Sequence, residues 1–283
     1  MGEGATISEH AVISPAATLE EGVEIGPFSV VEGGVRIGRN TRIGPQCYIR
    51  EGTDIGEYCV VESGAKLGIF PKGFPVDKDT GVKICGYAHI GENAMIERAS
   101  VAGLRTRIGR NSWVLPGVHV GHNCNVGDYV FLTNGVKLAG YVTIGDGANL
   151  AADVGVHQHV SIGRLAFVGA RTSVGKDVLP YAWLADSRHP GVLGLNKIGI
   201  NRAKLPEESV KRIQQAYDAI CHGTTLDDIL QKLKRLSTGE AKELADFLRN
   251  SRRGCYVVRS SRLINPTVLY NNAFDYHSNR GLR

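Results

Sequence analysis

The feature of this sequence that most constrains its fold is an aliphatic residue at every sixth position. Positions 7 to 67, in steps of six, read Ile, Ile, Leu, Ile, Val, Ile, Ile, Ile, Ile, Val, Leu, and the residue two places earlier is small each time. After an interruption the pattern resumes at Ile84 and continues to Val174, with Ala102 as its one undersized member. No helix has a period of six, so the pattern predicts a repeated structure of short strands.

Each six-residue unit is predicted to form one short strand and one turn. Residues two apart on a strand point to the same face, so the small and the large aliphatic residue of each unit both point inward. Three units close a triangular coil, and the repeats build a prism of about nine coils, roughly 43 Å long at ~4.8 Å per coil. Cys47, Cys59 and Cys124 fall in the small inward position, which predicts that they fill the core.

The repeat predicts a prism over residues 1–180 with one loop at 69–83. This insertion, IFPKGFPVDKDTGVK, breaks the period and carries two prolines, three lysines and two phenylalanines. Long loops on a regular scaffold are usually functional, and both substrate contact and subunit contact remain open for this one. Residues 181–205 form a connecting segment, a helical period occupies 206–257, and residues 258–283 form a tail without periodicity, either an ordered arm or a floppy one.

Three helices are predicted in the helical region. The first follows Pro206, the second begins near Thr225 with Asp228 completing a capping box, and the third spans about Glu240–Arg249. Their polar faces are basic, which is typical either of a solvated helix surface or of a docking surface for an acidic protein. The basic side chains are Lys204, Lys211, Arg212, Lys232, Lys234 and Arg235.

Composition excludes several classes of protein. The net charge of +5 is mild and comes without a Lys/Arg block, so we expect no nucleic-acid partner. No segment approaches the ~20 apolar residues of a membrane span, and the N-terminus lacks the pattern of a signal peptide. The six cysteines form no CxxC pair, which favours a reduced, cytoplasmic protein.

Residues eighteen apart stack along one edge of such a prism. His122 is followed at this spacing by Gly140 and Gln158, with Tyr141 and His157 beside them, all within about 10 Å along the edge. A neutral imidazole can take a proton from a hydroxyl or an amine at pH 7, and a peptide N–H such as that of Gly140 can stabilise an oxyanion. This column of residues therefore predicts an acid–base site that a thioester can approach closely over the glycine.

A metal site is the main alternative for the histidines. His119 and His122 lie three residues apart, but their side chains need not converge, and Tyr141 and Gln158 are poor zinc ligands. The γ-class carbonic anhydrases share the six-residue repeat, yet their histidine pair is five residues apart, a spacing not found here. We therefore predict no metal. In the remaining interpretation the histidines merely coat the surface of the prism.

The six-residue pattern resembles the hexapeptide-repeat transferases. That resemblance implies an all-β left-handed parallel β-helix, here followed by a C-terminal α-helical domain, and a homotrimer with active sites between neighbouring prisms. Four ordered motifs, HVGHNCNVG, LAGYVTIG, VHQHVSIG and GLNKIGINRA, are similar to successive motifs of the UDP-N-acetylglucosamine O-acyltransferase family of lipid A synthesis. The resemblance covers about residues 5–257, including a helical domain that docks acyl carrier protein in the family.

The resemblance implies a role for each matching residue. His122 takes the position of the general base, Gly140 that of the oxyanion amide, and Ala170 that of the acyl-chain ruler at the end of the lipid groove. The resemblance also implies an active-site role for His157 and places Arg202 near the donor's phosphopantetheine or its carrier. Together with Asn123, Tyr141 and Gln158 of the column, these are the predicted substrate-binding residues. The implied partners are acyl carrier protein, whose 4'-phosphopantetheine carries the acyl group, and a nucleotide-sugar acceptor; no tightly bound cofactor is implied.

The sequence departs from the family's pattern mainly on the acceptor side. Asn123 replaces a common Asp, Tyr141 replaces a histidine, and the 69–83 loop lacks a PQD-like motif. The segment IERASVAGLRTRIG stands where the family has IHRG and its following loop. The acceptor, the choice of O- or N-transfer and the acyl length stay open from the sequence.

Three other functions remain open from the sequence. One is a transferase using acyl- or acetyl-CoA on another amino sugar or a small amine. The others are a γ-carbonic-anhydrase-like metalloenzyme and a non-catalytic scaffold.

Overall fold

The architecture is a three-sided coil of short parallel strands capped by helices. The computed structural model describes residues 3–185 and 190–256, in which 28 strands and four helices form. The predicted tail at 258–283 lies outside the described residues. Successive strands enter the three sheets in turn, so each coil contributes one strand to each sheet. The predicted left-handed parallel β-helix with a helical C-terminal region is confirmed.

The strands of each sheet are stacked along the axis of the prism. Sheet one contains β1 Thr6–Ile7, β4 Glu24–Ile25, β7 Arg42–Ile43, β10 Val60–Val61, β13 His89–Ile90, β16 Trp113–Val114, β19 Phe131–Leu132, β22 Asn149–Leu150, β25 Phe167–Val168, β27 Ala182–Ala185 and β28 Gly191–Leu195. Sheet two contains β2 Val12–Ile13, β5 Val30–Val31, β8 Tyr48–Ile49, β11 Lys66–Ile69, β14 Met95–Glu97, β17 His119–Val120, β20 Lys137–Leu138, β23 Gly155–Val156 and β26 Ser173–Val174. Sheet three contains β3 Thr18–Leu19, β6 Arg36–Ile37, β9 Thr53–Ile55, β12 Gly81–Ile84, β15 Arg105–Ile108, β18 Asn125–Val126, β21 Thr143–Ile144 and β24 Ser161–Ile162.

The core is the ladder of inward aliphatics that the period predicts. Val120 pairs with Leu138 and Leu138 with Val156, so residues eighteen apart stand in register. Cys47, Cys59 and Cys124 are at most 1% exposed, which confirms that they fill the core. Burial raises the pKa of the Cys124 thiol to about 12, so it stays protonated and unreactive at neutral pH.

The expectation that Ala102 is an inward strand residue is wrong. Ile84 pairs with Ile108, twenty-four residues on, because one six-residue unit leaves the coil. Ala102 lies in a turn with Val101 and Leu104 exposed beside it. A small apolar residue fits the period by chance, but no strand of the next coil pairs with it. Residues 98–104, between β14 and β15, therefore form a second insertion, the short insertion.

The predicted loop is real but shorter than 69–83. Strand β11 extends to Ile69 and β12 begins at Gly81, so residues 70–80 form the long insertion. The long and the short insertion both connect sheet two to sheet three, and they leave the prism in successive coils. We call the edge between these two sheets the insertion corner. Asn123, Tyr141 and His159 occupy the same corner in the next three coils.

The C-terminal region forms four helices, of which three were predicted. They are α1 Lys197–Arg202, α2 Glu207–Cys221, α3 Leu226–Leu236 and α4 Gly239–Asn250. Thr225 caps α3 by accepting the Asp228 N–H at 3.2 Å, whereas the Asp228 carboxylate accepts from Thr224 and not from Thr225 as in a capping box. The segment 181–205 is more than a connector, because it contains β27, the antiparallel β28 and α1.

A polar contact holds the helical region against the end of the prism. The Tyr181 side chain is fully buried, and its hydroxyl accepts from Arg164 Nε at 2.9 Å and donates to Glu243 of α4 at 2.5 Å. Burial together with the Glu243 carboxylate raises the pKa of this phenol. Tyr217 of α2 is also buried and hydrogen-bonds to the Pro180 carbonyl.

Candidate active site

The column predicted from the eighteen-residue spacing forms at the insertion corner. Asn123, Tyr141 and His159 adopt positive φ values of 60°, 62° and 63°. Non-glycine residues at other corners, such as Phe28 and Tyr58, do the same. The left-handed conformation is thus the ordinary corner geometry of this coil, and it projects these side chains outward from successive coils.

His122 is buried and tightly held, with 4% of its surface exposed. Its Nδ1 lies 2.8 Å from Asn123 Oδ1, and its backbone N–H donates to Glu97 Oε2 at 3.0 Å. Asn123 Oδ1 also accepts the Ser100 backbone N–H at 3.1 Å, so this atom is the amide oxygen and Nδ1 of His122 carries the hydrogen. The Nε2 lone pair of His122 is therefore free to accept a proton.

Gly140 lies directly beneath the imidazole. A Cβ built on Gly140 would stand 2.5 Å from His122 Nε2 and 2.7 Å from Cε1, so only glycine leaves room for this ring position. The Gly140 carbonyl accepts the His159 N–H at 3.1 Å, but the Gly140 N–H donates to no group in the described chain. Gly140 is a buried residue that packs against the imidazole, so its N–H is available to a group bound beside the ring.

Two aromatic side chains enclose the imidazole. The Phe74 ring, from the long insertion, lies 4.7 Å from that of His122, and the Tyr141 ring meets it edge-on at 5.2 Å. Tyr141 is itself stacked on His159, 4.7 Å away and 18° from parallel. His159 was missed in the sequence, although it lies eighteen residues after Tyr141 and the same arithmetic identifies it.

The long insertion is anchored to the prism by cation–π contacts. Arg50 and Arg98 both approach the Phe70 ring, with guanidinium carbons 4.5 Å and 4.7 Å from the ring centre. Arg98 is only 5% exposed and donates to Thr80 Oγ1 at 2.9 Å and to the Thr80 carbonyl at 2.6 Å. These contacts fix both ends of the segment that carries Phe74. Neither phenylalanine contact follows from the repeat, because an insertion has no register.

A groove runs along the outer face of sheet two beside this corner. It has a volume of about 550 Å³, and its lining includes His119 and His157. His119 Nε2 lies 3.8 Å from Glu97 Oε1, so His119 and His122 both approach Glu97, His122 through its backbone. The floor of the groove is a column of outward residues in register, namely His119, Lys137, Gly155 and Ser173. The side chains of this column are therefore smaller in the two coils nearest the helical region.

The remaining predicted site residues lie apart from the His122 cluster within one chain. His157 is exposed in the groove, its Nδ1 3.2 Å from the Gln158 carbonyl, and half-buried Gln158 stands in register with Gly140. Ala170 is exposed at the corner between sheets one and two, across sheet two from His122. Arg202 is exposed in the last turn of α1. The structure thus brings together His122, Asn123, Gly140 and Tyr141. The other four predicted residues, His157, Gln158, Ala170 and Arg202, lie farther from the imidazole.

The described residues lack the marks of two other classes of protein. In residues 3–185 and 190–256 no three His, Cys, Asp or Glu side chains are grouped as a metal ion would require. None of the helices described is long and apolar enough to cross a membrane.

The basic side chains of the helical region divide into two groups. Lys211, Arg212 and Lys232 form ion pairs one helical turn away, with Glu207, Glu208 and Asp228 at 3.0, 3.5 and 2.9 Å. Arg249 likewise pairs with Asp246 at 2.9 Å. Among the basic side chains that form no ion pair in the described part of the chain are Arg202 and Lys204 near the end of α1, and Lys234 and Arg235 at the end of α3. These unpaired cations are the ones available to an acidic surface.

Comparison with known proteins finds two matching family models. The helical region, residues 177–256, matches the second domain of UDP-N-acetylglucosamine O-acyltransferase. Residues 16–51, 34–68 and 105–140 match the bacterial transferase hexapeptide repeat. The curated acyl-[acyl-carrier-protein]–UDP-N-acetylglucosamine O-acyltransferase of Anaeromyxobacter sp. is 34% identical over 152 residues, 53% of this chain and 59% of that protein. The chain thus spans about three fifths of the length of this curated relative.

Solved structures are similar over nearly the whole chain. The UDP-N-acetylglucosamine acyltransferase of Bacteroides fragilis is 31% identical, with a TM-score of 0.83, covering 89% of this chain and 99% of that one. The acyltransferase of the same description from Francisella novicida is 29% identical, with a TM-score of 0.85, covering 96% of this chain and all of that one.

Proposed function

Because this chain belongs to the UDP-N-acetylglucosamine O-acyltransferase family, we propose that it transfers a fatty acyl group from an acyl carrier protein thioester to a hydroxyl of UDP-N-acetylglucosamine or a close analogue. The observation that carries the proposal is the pairing at His122 of a free Nε2 lone pair with the unpartnered amide of Gly140. A general base and an oxyanion donor side by side are the two elements that acyl transfer needs.

The proposed reaction proceeds through a tetrahedral intermediate. Nε2 of His122 takes the proton of the acceptor hydroxyl, whose oxygen forms a bond to the thioester carbonyl carbon. The carbonyl oxygen becomes an oxyanion and accepts a hydrogen bond from the Gly140 N–H. When the intermediate collapses, the C–S bond breaks and the departing sulfur of phosphopantetheine receives the proton from the imidazolium. Protons and charges then balance, and His122 is restored.

His122 lies in a partly enclosed place suited to this step. Phe74 and Tyr141 cover the imidazole, which limits the access of water to the intermediate. Asn123 accepts the Nδ1 hydrogen in both protonation states but carries no charge, so it orients the imidazolium without the full electrostatic support of a carboxylate. The remaining predicted substrate contacts, His157, Tyr141, Gln158 and Arg202, stay proposals, as does Ala170 as the ruler.

The donor is proposed to dock on the unpaired basic residues of the helical region. Acyl carrier protein is acidic, and Lys234 and Arg235 present charge that no neighbouring carboxylate neutralises. Replacing both by Gln is expected to raise KM for acyl carrier protein about tenfold and to leave KM for acyl-phosphopantetheine without its carrier unchanged. Equal effects on both donors would contradict docking at this surface. We also propose a homotrimer in the cytoplasm, the oligomer being testable by light scattering of the purified protein.

The activity is tested by incubating the protein with acyl carrier proteins of different chain length and a panel of nucleotide sugars. Mass spectrometry of the products is expected to show a UDP-hexosamine ester. His122→Ala should lower the rate by at least about a thousandfold, whereas His10→Ala, in the first coil, should not change it. Failure with every UDP-hexosamine would overturn the proposed acceptor. An undiminished rate in His122→Ala would overturn the proposed base.

A further inference from the structure

The two insertions form one unit that reaches the candidate base. The Asp77 N–H of the long insertion donates to the Ser100 carbonyl at 2.9 Å, and its carboxylate accepts the Ala102 N–H at 3.1 Å. Gly103 N–H donates to the Asp79 carbonyl at 3.0 Å. The two insertions are thereby joined by hydrogen bonds, and Ser100, at 9% exposed, is one of the buried residues of the short insertion.

Ser100 makes two hydrogen bonds to a single atom. Its backbone N–H and its hydroxyl both donate to Asn123 Oδ1, at 3.1 Å and 2.8 Å. The third group at that oxygen is His122 Nδ1, at 2.8 Å. A backbone N–H can face only an acceptor, and the hydroxyl adds a second donor to the same oxygen, so Ser100 favours the observed orientation of the amide through both groups.

The orientation matters because an amide has two different ends. With Oδ1 towards the imidazole, Nδ1 must carry the hydrogen, and Nε2 keeps its lone pair for the acceptor. In the reversed orientation the NH2 group would face Ser100 and His122 as a donor, and Nδ1 could meet it only as an acceptor, with the hydrogen moved to Nε2. That tautomer cannot take a proton at Nε2.

The opposite end of the amide does not hold it in place. Asn123 Nδ2 is buried and has no hydrogen-bond partner in the described chain. The observed orientation therefore depends on the donors that converge on Oδ1, two of which come from Ser100. A carboxylate at this position would not need them, because it presents an oxygen to the imidazole in either orientation.

Resting on the proposed function, we propose that Ser100 is a positioning residue of the active site. By fixing the Asn123 amide it selects the Nδ1–H tautomer of His122 that can act as a base. The residue touches no substrate in this role, and it acts entirely through Asn123.

The spectroscopic test reads the tautomer directly. Protein labelled with ¹⁵N-histidine is examined by long-range ¹H–¹⁵N NMR at pH 8.5, about two units above the ordinary histidine pKa, with His122 assigned from the His122→Gln spectrum. The wild type is expected to show a protonated Nδ1 and an unprotonated Nε2 at His122. Ser100→Ala should raise the share of the Nε2–H form. A wild-type His122 protonated at Nε2 would overturn the proposal, whether or not the protein transfers acyl groups.

The kinetic test is a double-mutant cycle. Ser100→Ala is expected to lower kcat/KM about fivefold, the effect of one hydrogen bond, in the native background. In the Asn123→Asp background, Ser100→Ala should lower kcat/KM less than about twofold, because a carboxylate presents an oxygen to the imidazole in either orientation. Ser100→Thr keeps both donors and should restore the rate. Ser29→Ala is the control and should leave the rate unchanged, because the Ser29 hydroxyl also donates, to the Gly44 carbonyl at 2.7 Å, in a coil far from the site. Equal losses in both backgrounds would show that Ser100 only stabilises the loop and would refute the proposal. A wild type without acyl transfer would refute the proposed function instead, and the NMR result would still decide the role of Ser100.

Discussion

Replacing Gly140 by alanine is expected to displace the His122 imidazole. The added Cβ would stand 2.5 Å from Nε2, 2.7 Å from Cε1 and 3.1 Å from Cδ2. Ordinary contacts between such atoms begin near ~3.5 Å, so the ring has to move by about 1 Å. The backbone contributes no strain of its own, because Gly140 does not have a positive φ that would disfavour alanine.

The imidazole has little freedom to make that movement. Its Nδ1 is bonded to Asn123 at 2.8 Å, and Phe74 and Tyr141 confine the ring on two other sides. A movement of 1 Å therefore breaks the bond to Asn123 or pushes Phe74 aside, and in both cases Nε2 leaves the Gly140 amide. Misplacement of a catalytic group by this distance lowers kcat about 100-fold. Overpacking at one buried site is also expected to lower the free energy of unfolding by about 1–2 kcal/mol.

The assay is acyl transfer from acyl carrier protein under single-turnover conditions, accompanied by urea unfolding. Gly239→Ala is the matched control, because a Cβ there has nothing within 4 Å and Gly239 lies at the start of α4. The control should retain full activity. A Gly140→Ala enzyme within threefold of the wild-type kcat would refute the claim that glycine is required for the position of the ring.

Three further changes test other parts of the molecule. Phe74→Ala uncovers the imidazole and is expected to raise thioester hydrolysis in the absence of acceptor about threefold or more, measured as released fatty acid; an unchanged rate would contradict its role in excluding water. Ala170→Gly should shift the preferred acyl chain by one or two carbons towards longer chains in a competition between donors, and an unchanged preference would remove Ala170 as the ruler. Tyr181→Phe leaves Arg164 and Glu243 without their shared hydroxyl, and urea unfolding should show a loss of about 1–3 kcal/mol; a change below about 0.5 kcal/mol would show that this contact does not secure the helical region.

Most of the prism is predictable from the sequence because its order is local and repeated. In regular coils an inward residue such as Leu138 pairs with residues eighteen away on both sides, so one pattern predicts both strand position and register. The prediction fails at Ala102, where the period continues although the chain leaves the coil. A strand forms in this fold only where its backbone hydrogen-bonds to the coils on either side. The six-residue spacing alone does not show whether such neighbouring strands are present.

The candidate site likewise has a part that the repeat predicts and a part that it does not. Gly140 lies eighteen residues after His122 and Tyr141 eighteen after Asn123, and the same spacing leads on to His159. Phe74 and Ser100 could not, because insertions carry no register and their contacts arise from side-chain and backbone hydrogen bonds between two irregular segments. The part of the site that the repeat positions is thus the part that the sequence reveals.

The position of Ala170 limits how a donor can lie on one protomer. Ala170 is at the corner between sheets one and two, whereas Gly140 follows β20 at the insertion corner, so an acyl chain running between them has to cross the outer face of sheet two. On that face the Lys137 side chain projects from one coil, whereas the next two coils carry the small residues Gly155 and Ser173. A Cβ at Gly155 would meet nothing within 4 Å. The small residues leave room for an alkyl chain along this path. Under the proposed function we therefore expect an acyl group bound at Gly140 to reach Ala170 of its own protomer through the groove beside His157. The accepted chain length should then depend on the floor of that groove as well as on its end.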